Sequence, residues 1–174
     1  MKKLLFIASL TLITIAAKAQ LSTTPTIKPT DTAKLYNPAA DAKADIANAV
    51  KRAAAEHKNV FLQIGGNWCT WCLYFNDLVS KDAELHKYLS DNYVVVHVNY
   101  SKENLNEKVL ASLGYPQRFG FPVFVILDDK GNRLHTQNSE YLEEGRGHSK
   151  KKVMEFFESW SPAAIDPKTY QKTK

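Results

Sequence analysis

Apolar and polar residues follow two different rhythms along the chain, and these rhythms predict its secondary structure. An apolar residue at every third or fourth position marks one face of a helix, whereas short runs dense in β-branched residues predict buried strands. Gly, Pro, Asn and Asp separate the runs. In chain order the pattern predicts a helix over 38–57, a strand over 60–64, a helix from 69 to 79 with a second piece over 85–89, a strand over 93–100, a helix over 103–113, strands over 122–127 and 133–137, and a last helix over 149–160.

The order of these elements predicts an α/β fold. Strands joined by helices favour a parallel sheet that is covered on both faces, and the hairpin turned by residues 128–132 adds an antiparallel edge. About 120 residues in this order can bury a normal core. The predicted domain runs from 39 to 162, and a polar loop over 139–147 precedes its last helix.

The first residues of the chain have the features of an export signal. A positive start is followed by an apolar run from 4 to 17, which is too short to cross a bilayer because a spanning helix needs about 20 residues. The Ala-Lys-Ala sequence that follows has the small residues that signal peptidase requires. We therefore expect residues 1–19 to be removed by cleavage near Ala19-Gln20, which makes the mature protein periplasmic or otherwise exported. A retained membrane anchor is the alternative.

Two further segments flank the predicted domain. Residues 20–38 are rich in Ser, Thr and Pro, which predicts an extended, solvated spacer. Ser161-Pro162 ends the last predicted helix, so residues 163–174 form a C-terminal tail. The whole chain has a formal charge of +5, but three of the positive charges lie in the predicted signal. The remaining excess is too small to indicate nucleic-acid or anionic-membrane binding. Separately, we expect the protein to be a monomer.

The chain has two cysteines, Cys69 and Cys72. A disulfide across so short a loop would stabilise the fold by only about 2 kcal/mol in the chain-entropy model, compared with about 4–5 kcal/mol for a loop of about 100 residues. Such a bond is a weak structural constraint, which favours a disulfide that is reversibly reduced and re-formed. A static surface disulfide and half of a shared metal site are the alternatives. Two cysteines alone cannot complete a four-cysteine zinc site.

The predicted positions of the two cysteines differ in a way that suits disulfide exchange. Cys69 follows a strand and a Gly-Gly turn and lies where a helix begins, so free backbone N–H groups and the helix dipole should lower the pKa of its thiol. Cys72 lies one turn further, on the apolar face with Phe75 and Val79, and should be more buried and less nucleophilic. The exposed sulfur would attack a disulfide, and the inner sulfur would resolve the mixed disulfide.

The motif Trp68-Cys69-Thr70-Trp71-Cys72 resembles the active site of the thioredoxin superfamily, and the likeness extends over about 41–160. A strand leads into the motif, Pro122 stands where the family has its cis-proline, and Gly145 or Gly147 matches the family's glycine before the last helix. The resemblance implies a thioredoxin fold, with a central mixed sheet of about four strands flanked by helices on both faces. It also implies thiol–disulfide oxidoreductase activity that needs no cofactor or metal beyond the redox-active disulfide, with Cys69 as nucleophile and Cys72 as resolving thiol.

The resemblance also implies roles for the neighbours of the cysteines. Trp68 would cover one side of the sulfurs and offer an apolar contact to a partner. Trp71 would tune the redox potential and contact substrate. Phe121, directly before Pro122, would pair through its backbone with an extended stretch of the partner. The alternatives are a core position for Trp68, an incidental solvent-facing position for Trp71, and an ordinary trans bond before Pro122.

Two positions depart from the pattern of thioredoxins proper. Those proteins place a buried Asp six residues before the first cysteine, where it shuttles the proton of the resolving thiol. The residue here is Gln63, which cannot titrate, so fast general-base help to Cys72 is not expected. The pair Thr70-Trp71 replaces their Gly-Pro, so their redox potential does not carry over.

These features predict an exported thiol–disulfide oxidoreductase that acts on disulfide-containing client proteins, as a reductase or isomerase rather than a strong oxidant. It would need an electron donor or acceptor, for which a membrane thiol-electron transporter is a candidate. Two alternatives stay open: a non-catalytic binding module with a locked disulfide, and a copper-binding protein that uses two thiolates and a histidine. We expect His97 to be a core or sheet-face residue, and His148, beside the glycine loop, to be placed where it could tune Cys69.

Overall fold

The computed structural model describes residues 35–171. The predicted signal peptide and most of the predicted spacer lie outside the described residues, as do the last three residues of the predicted tail. The helices and strands, in chain order, are α1 (Ala42–Glu56), β1 (Asn59–Gly65), α2 (Thr70–Lys81), α3 (Ala83–Asn92), β2 (Tyr93–Asn99), α4 (Glu107–Ser112), β3 (Val123–Leu127), β4 (Arg133–Asn138), β5 (Glu143–Glu144), β6 (Gly147–His148), α5 (Lys150–Ser159) and α6 (Pro162–Ile165).

The central sheet has four strands in the order β2-β1-β3-β4. Strand β1 runs parallel to β2 and antiparallel to β3, and β3 and β4 form an antiparallel hairpin. The mixed sheet implied by the family resemblance is therefore confirmed, whereas the expectation of a parallel sheet with one antiparallel edge is wrong for β3. Val123, the first residue of β3, pairs with Ile64 near the C-terminal end of β1. The connection from β2 to β3 therefore returns to the same end of the sheet at which β1 finishes. Helix α4 has only six residues, too few to return the chain across the sheet as a parallel crossover requires.

Strand β1 lies at the centre of the core, and all seven of its residues are buried. On one face Leu62 and Ile64 pack in a cluster with Ala53 of α1. On the other face the ring of Phe61 lies 5.3 Å from that of Phe124, in an aromatic cluster to which α2, α3 and α5 contribute. Helices therefore cover both faces of the sheet, as predicted.

Three asparagines explain why α4 begins later than the predicted helix. Asn99 Nδ2 donates to Asn104 O at 2.9 Å, and Asn106 Nδ2 donates to Asn99 O at 2.7 Å. Side-chain amides that bond nearby backbone groups compete with helical hydrogen bonds. The chain between β2 and α4 is therefore held as a turn rather than as the first part of a helix.

Two other predicted segments contain more structure than expected. The polar loop over 139–147 holds a 3-10 helix, Ser139–Leu142, followed by the two-residue hairpin of β5 and β6. Ser161-Pro162 begins the short helix α6 as well as ending α5, because the Ser161 hydroxyl accepts the Ala164 N–H and Pro162 stands at the first helical position. None of the described helices is both long and apolar enough to cross a membrane.

The last residues of the predicted spacer are part of the folded domain. Tyr36 is 1% exposed, and Asn67 binds its backbone in both directions: Tyr36 N donates to Asn67 Oδ1 at 3.0 Å, and Asn67 Nδ2 donates to Tyr36 O at 2.8 Å. Asn104 Nδ2 also donates to Pro38 O at 3.0 Å. The prediction of a solvated spacer is thus wrong for residues 35–38, while the other domain boundaries stay predictions.

Candidate active site

The two cysteines lie at the beginning of α2, directly after the central strand, and form a disulfide. Cys69 is the N-cap residue of the helix, and its Sγ accepts a hydrogen bond from the backbone N–H of Cys72 at 3.1 Å. A sulfur in this position meets the free N–H groups and the positive end of the helix dipole, both of which stabilise a thiolate. The predicted position of Cys69 at a helix start is therefore confirmed.

Cys72 is buried as the sequence predicts, but Cys69 is more sheltered than expected. Cys72 is 0% exposed and Cys69 only 5%, so the predicted order holds but Cys69 is not the freely exposed residue we expected. Tyr36 forms a buried cluster with the two cysteines, and Leu35, Trp71 and Phe121 pack against it. Little of the Cys69 surface is therefore open to solvent while the disulfide is formed.

Gly65 makes room for the inner sulfur. A Cβ atom at this position would lie 2.4 Å from Cys72 Sγ and 2.9 Å from Tyr36 Oη. Both distances are shorter than real Cβ contacts, so a side chain here would displace one of the two groups. The residue must be glycine because of this close approach, not because of its backbone conformation.

Behind the disulfide lies a small set of buried polar groups that are satisfied by one another. Gln63 is 2% exposed, and its Nε2 donates to Tyr36 Oη at 2.9 Å and to Cys72 O at 3.1 Å. Burial raises the pKa of Tyr36 far above its ordinary value, so the phenol stays protonated. We call Tyr36, Gln63 and Gly65 the rear wall of the site.

His97 borders the rear wall. It is paired with Gln63 across β1 and β2, and its ring lies edge-on to that of Tyr36 at 5.6 Å. Burial lowers the pKa of His97 to about 4, which keeps the imidazole neutral at pH 7. A cavity of about 170 Å³ lined by Gln63, His97, Ser80 and His86 among others lies between these strands and helices α2 and α3. The expected sheet-face position of His97 is confirmed.

On the front of the site, aromatic side chains surround the proline loop. The Phe121–Pro122 peptide is cis, as the family resemblance implied. The ring of Trp68 lies 5.5 Å from that of Phe121, and its Nε1 donates to Tyr100 O at 2.7 Å. Tyr100 in turn stacks on Phe121 at 4.7 Å. We call Trp68, Tyr100 and Phe121 the front face; Trp68 is 58% exposed there, which excludes a core position, while its predicted cover of the sulfurs stays a prediction.

Trp71 and His148 lie together on another side of the disulfide. Trp71 packs against the cysteine cluster, and its ring lies 5.7 Å from that of His148, so the tryptophan is not merely solvent-facing. His148 also lies edge-on to Phe75 at 5.2 Å, and burial lowers the pKa of His148 to about 4. Its ring nitrogens are buried without a hydrogen-bond partner among the described residues. His148 thus reaches the disulfide through Trp71, and no group of three or more His, Cys, Asp or Glu side chains within 35–171 is arranged to hold a metal ion.

Sequence reasoning missed Tyr36 and Asn67 as site residues. Tyr36 stands in a stretch whose composition otherwise predicts a spacer, and its partners are Asn67 and Gln63, 31 and 27 positions away. The available signal was a single large aromatic residue followed by Asn37-Pro38, which is typical of a turn into a helix.

A disulfide at the start of the helix that follows a buried central strand, beside a cis-proline, defines a redox site of the thioredoxin class. The chain belongs to the thioredoxin-like family, whose model matches residues 41–129. It is also 25% identical over 97 residues to the disulfide bond reductase DsbH of Chlamydia pneumoniae. That match covers 51% of this chain and 57% of the relative, so the chain aligns with little more than half of the relative's length.

Solved structures confirm the predicted fold. A disulphide isomerase from Xylella fastidiosa Temecula1 superimposes with a TM-score of 0.63 at 24% identity, covering 71% of this chain and 94% of the other. A DsbH oxidoreductase superimposes with a TM-score of 0.50 at 21% identity, covering 66% of this chain and 80% of the other. At these identities the likeness shows the thioredoxin fold and nothing finer.

Proposed function

We propose that this protein is an exported thiol–disulfide oxidoreductase that exchanges disulfides with client proteins through Cys69 and Cys72. The observation that carries the proposal is the position of Cys69 Sγ at the N-terminus of α2, where it accepts the Cys72 N–H, with Cys72 fully buried behind it. This asymmetry gives the two sulfurs different tasks. The name of the DsbH relative, a disulfide bond reductase, supports the reaction type.

In the reductive direction the reaction has two steps. The Cys69 thiolate attacks one sulfur of a client disulfide, the client S–S bond breaks, and the other client sulfur leaves as a thiolate that takes up a proton. The Cys72 thiolate then attacks Cys69 Sγ, and the second client sulfur leaves in the same way. The client gains two electrons and two protons, the protein becomes the Cys69–Cys72 disulfide, and no cofactor takes part.

The front face supports binding of an extended client segment. Neither the backbone N–H nor the C=O of Phe121 has a partner among the described residues, so both are free to pair with a client strand. Trp68, which is 58% exposed, offers an apolar contact beside that strand. We assign substrate binding to Trp68, Trp71, Phe121 and Pro122.

We further propose reduction or isomerisation rather than strong oxidation, with electrons supplied across the membrane by a thiol-electron transporter. The signal-like N-terminus supports export to the periplasm or beyond. The midpoint potential of the disulfide tests the direction. Strong periplasmic oxidants have a potential of about −120 mV, and a similar value here would contradict a reductive role.

Trapping tests the proposed function itself. In the mature chain, Cys72→Ala should leave Cys69 in stable mixed disulfides with client proteins, whereas Cys69→Ala, the matched control, should trap none. The traps are separated on a non-reducing gel and released by reductant. An empty trap together with no reduction of insulin would support the alternative, a non-catalytic binding module.

A further inference from the structure

The segment that precedes α1 places a buried phenol beside the resolving sulfur. Tyr36 Oη and Cys72 Sγ both lie close to the same point, the position that a Cβ atom of Gly65 would take, at 2.9 and 2.4 Å from it. The phenol is held there from two directions, because Asn67 binds the Tyr36 backbone and Gln63 binds its hydroxyl. Several contacts, rather than a single one, therefore fix the position of the phenol.

The hydrogen bonds of Gln63 determine where the phenolic proton can go. A glutamine amide nitrogen has two N–H groups, and those of Gln63 are both used, one on Tyr36 Oη and one on Cys72 O. Tyr36 Oη thus accepts from Gln63 and keeps its own proton, for which the described residues offer no hydrogen-bond acceptor at present. The amide cannot donate to the sulfur itself, but it leaves the phenol free to do so.

We propose that, once the disulfide opens, the Tyr36 hydroxyl donates a hydrogen bond to Cys72 Sγ and thereby favours the thiolate that resolves the mixed disulfide. The proposal rests on the proposed function, since it concerns the second step of that reaction. Cys72 loses a proton to solvent, its thiolate forms the bond to Cys69 Sγ, and the bond from Cys69 to the client sulfur breaks. The departing client thiolate takes up one proton, so charge and electrons balance.

The other groups around Tyr36 do not offer the same help. Gln63 does not titrate, and His97 meets the ring of Tyr36 from β2 rather than its hydroxyl. On α2 the neighbour is Cys69, whose Sγ accepts the Cys72 N–H. The phenol therefore takes the place of the buried carboxyl that thioredoxins use, but it acts as a hydrogen-bond donor rather than as a base.

Single-turnover reaction of the reduced mature protein with excess dithiobis(nitrobenzoate) separates the two steps. Attack by Cys69 releases the first chromophore in a phase that depends on reagent concentration, and attack by Cys72 releases the second in a phase that does not. Loss of a hydrogen bond to a charged sulfur, offset in part by higher thiolate nucleophilicity, predicts that Tyr36→Phe slows the second phase about five- to tenfold near pH 7. The first phase should not change.

The pH profile distinguishes this role from a structural one. Without the donor the pKa of Cys72 rises, so the second-phase rate of Tyr36→Phe should reach its plateau at higher pH, and the defect should vanish in alkaline buffer. Tyr93→Phe is the matched control, since it also removes a buried hydroxyl, one that bonds Phe157 O at 2.6 Å, and both of its phases should match the unmodified protein. An unchanged second phase in Tyr36→Phe, a defect that persists at all pH values, or an equal defect in Tyr93→Phe would overturn the proposal.

The measurements distinguish a failure of the Tyr36 role from a failure of the proposed function. If the unmodified protein shows both phases but reduces no protein disulfide and traps no client, the proposed function fails while the role of Tyr36 is still measured. If protein disulfides are reduced but the second phase is insensitive to Tyr36→Phe, only the role of Tyr36 fails.

Discussion

The front face and the rear wall of the disulfide differ in solvent exposure and in how far their polar groups are already hydrogen-bonded. At the front, Trp68 is 58% exposed and the backbone of Phe121 is unpaired among the described residues. At the rear, Tyr36 and Gln63 are 1% and 2% exposed, and their polar groups bond one another. The open side suits the varied clients that we propose, because few of its groups are already paired. The closed side suits the proposed intramolecular step, which would be the same for every client.

The largest expected effect comes from acid, which acts on two buried histidines near the disulfide. His97 borders the rear wall and His148 lies behind Trp71, and burial lowers the pKa of each to about 4. The unfolded chain binds these protons near pH 6.5, so stability is full above that value and falls as the pH drops toward 4. With allowance for partial solvent access, we expect a combined loss of about 2–4 kcal/mol at pH 4. Urea unfolding measured across this range checks it.

Single substitutions divide that loss between the two histidines. His97→Gln and His148→Gln should each remove part of the acid dependence, and the double substitution should remove most of it. If the free energy of unfolding falls between pH 6.5 and 4 as steeply in both variants as in the parent, the assignment of neutral, buried histidines is wrong.

Crowding the rear wall should have the next largest effect. Gly65→Ala would push a methyl group against Cys72 Sγ and Tyr36 Oη, and overpacking of this kind costs about 1–3 kcal/mol. Gly147→Ala is the matched control, because nothing lies within 4 Å of a Cβ there. Urea unfolding of the oxidised forms compares them. Equal stabilities would mean that the rear wall yields easily and is not a fixed surface.

Releasing the rear wall should cost a similar amount. Asn67→Ala removes both bonds to the Tyr36 backbone, which at about 0.5–1.5 kcal/mol each predicts a loss of about 1–3 kcal/mol. It should also slow the second phase of chromophore release, since Tyr36 is no longer held beside Cys72. Asn104→Ala removes the bond to Pro38 O, two residues away, and should leave that phase unchanged. Equal kinetics in Asn67→Ala and the parent would contradict the comparison.

Changes at the front face should affect reaction with the proposed clients more than stability. Trp68→Ala should lower the free energy of unfolding by about 1 kcal/mol, because the side chain is 58% exposed but its hydrogen bond to Tyr100 O is lost. It should lower kcat/KM for protein disulfides about fivefold, since exposed tryptophans contribute strongly to binding.

The small reagent dithiobis(nitrobenzoate) should react with Trp68→Ala as it does with the parent. Tyr170→Ala is a matched control with a 72% exposed aromatic ring, in the segment beyond α5. That helix ends at Ser159, and the carbonyl of the next residue, Trp160, accepts a hydrogen bond from Asn59 at the start of β1, the end of the strand opposite the disulfide. If both variants lose activity equally, the front face is not the client surface.

The local parts of this architecture were predictable and the long-range parts were not. The rhythm around β1 and α2, the two cysteines and Pro122 lie in short stretches whose residues carry their own signal. The direction of β3 depends instead on the path of the whole connection from β2, and no single residue of this connection predicts that path. The late start of α4 depends on three asparagine side chains finding backbone partners.

The rear wall shows the same limit most clearly. The residues of this wall come from separate stretches of the chain, and the bond from Gln63 to Tyr36 spans 27 positions. A buried tyrosine ahead of the first helix leaves no periodic pattern, so composition assigned it to a solvated spacer. Its contact with the cysteines also explains why Cys69 is more sheltered than a helix start alone would predict.

The anchoring of Tyr36 by Asn67 also determines where the chain enters the domain. Leu35 packs against the cysteine cluster, so the polypeptide joins the folded body at the end that bears the sulfurs. A carrier, fluorescent label or surface tether fused directly to Leu35 would therefore be attached next to the dithiol. A label intended to leave client access undisturbed belongs after residue 171 instead.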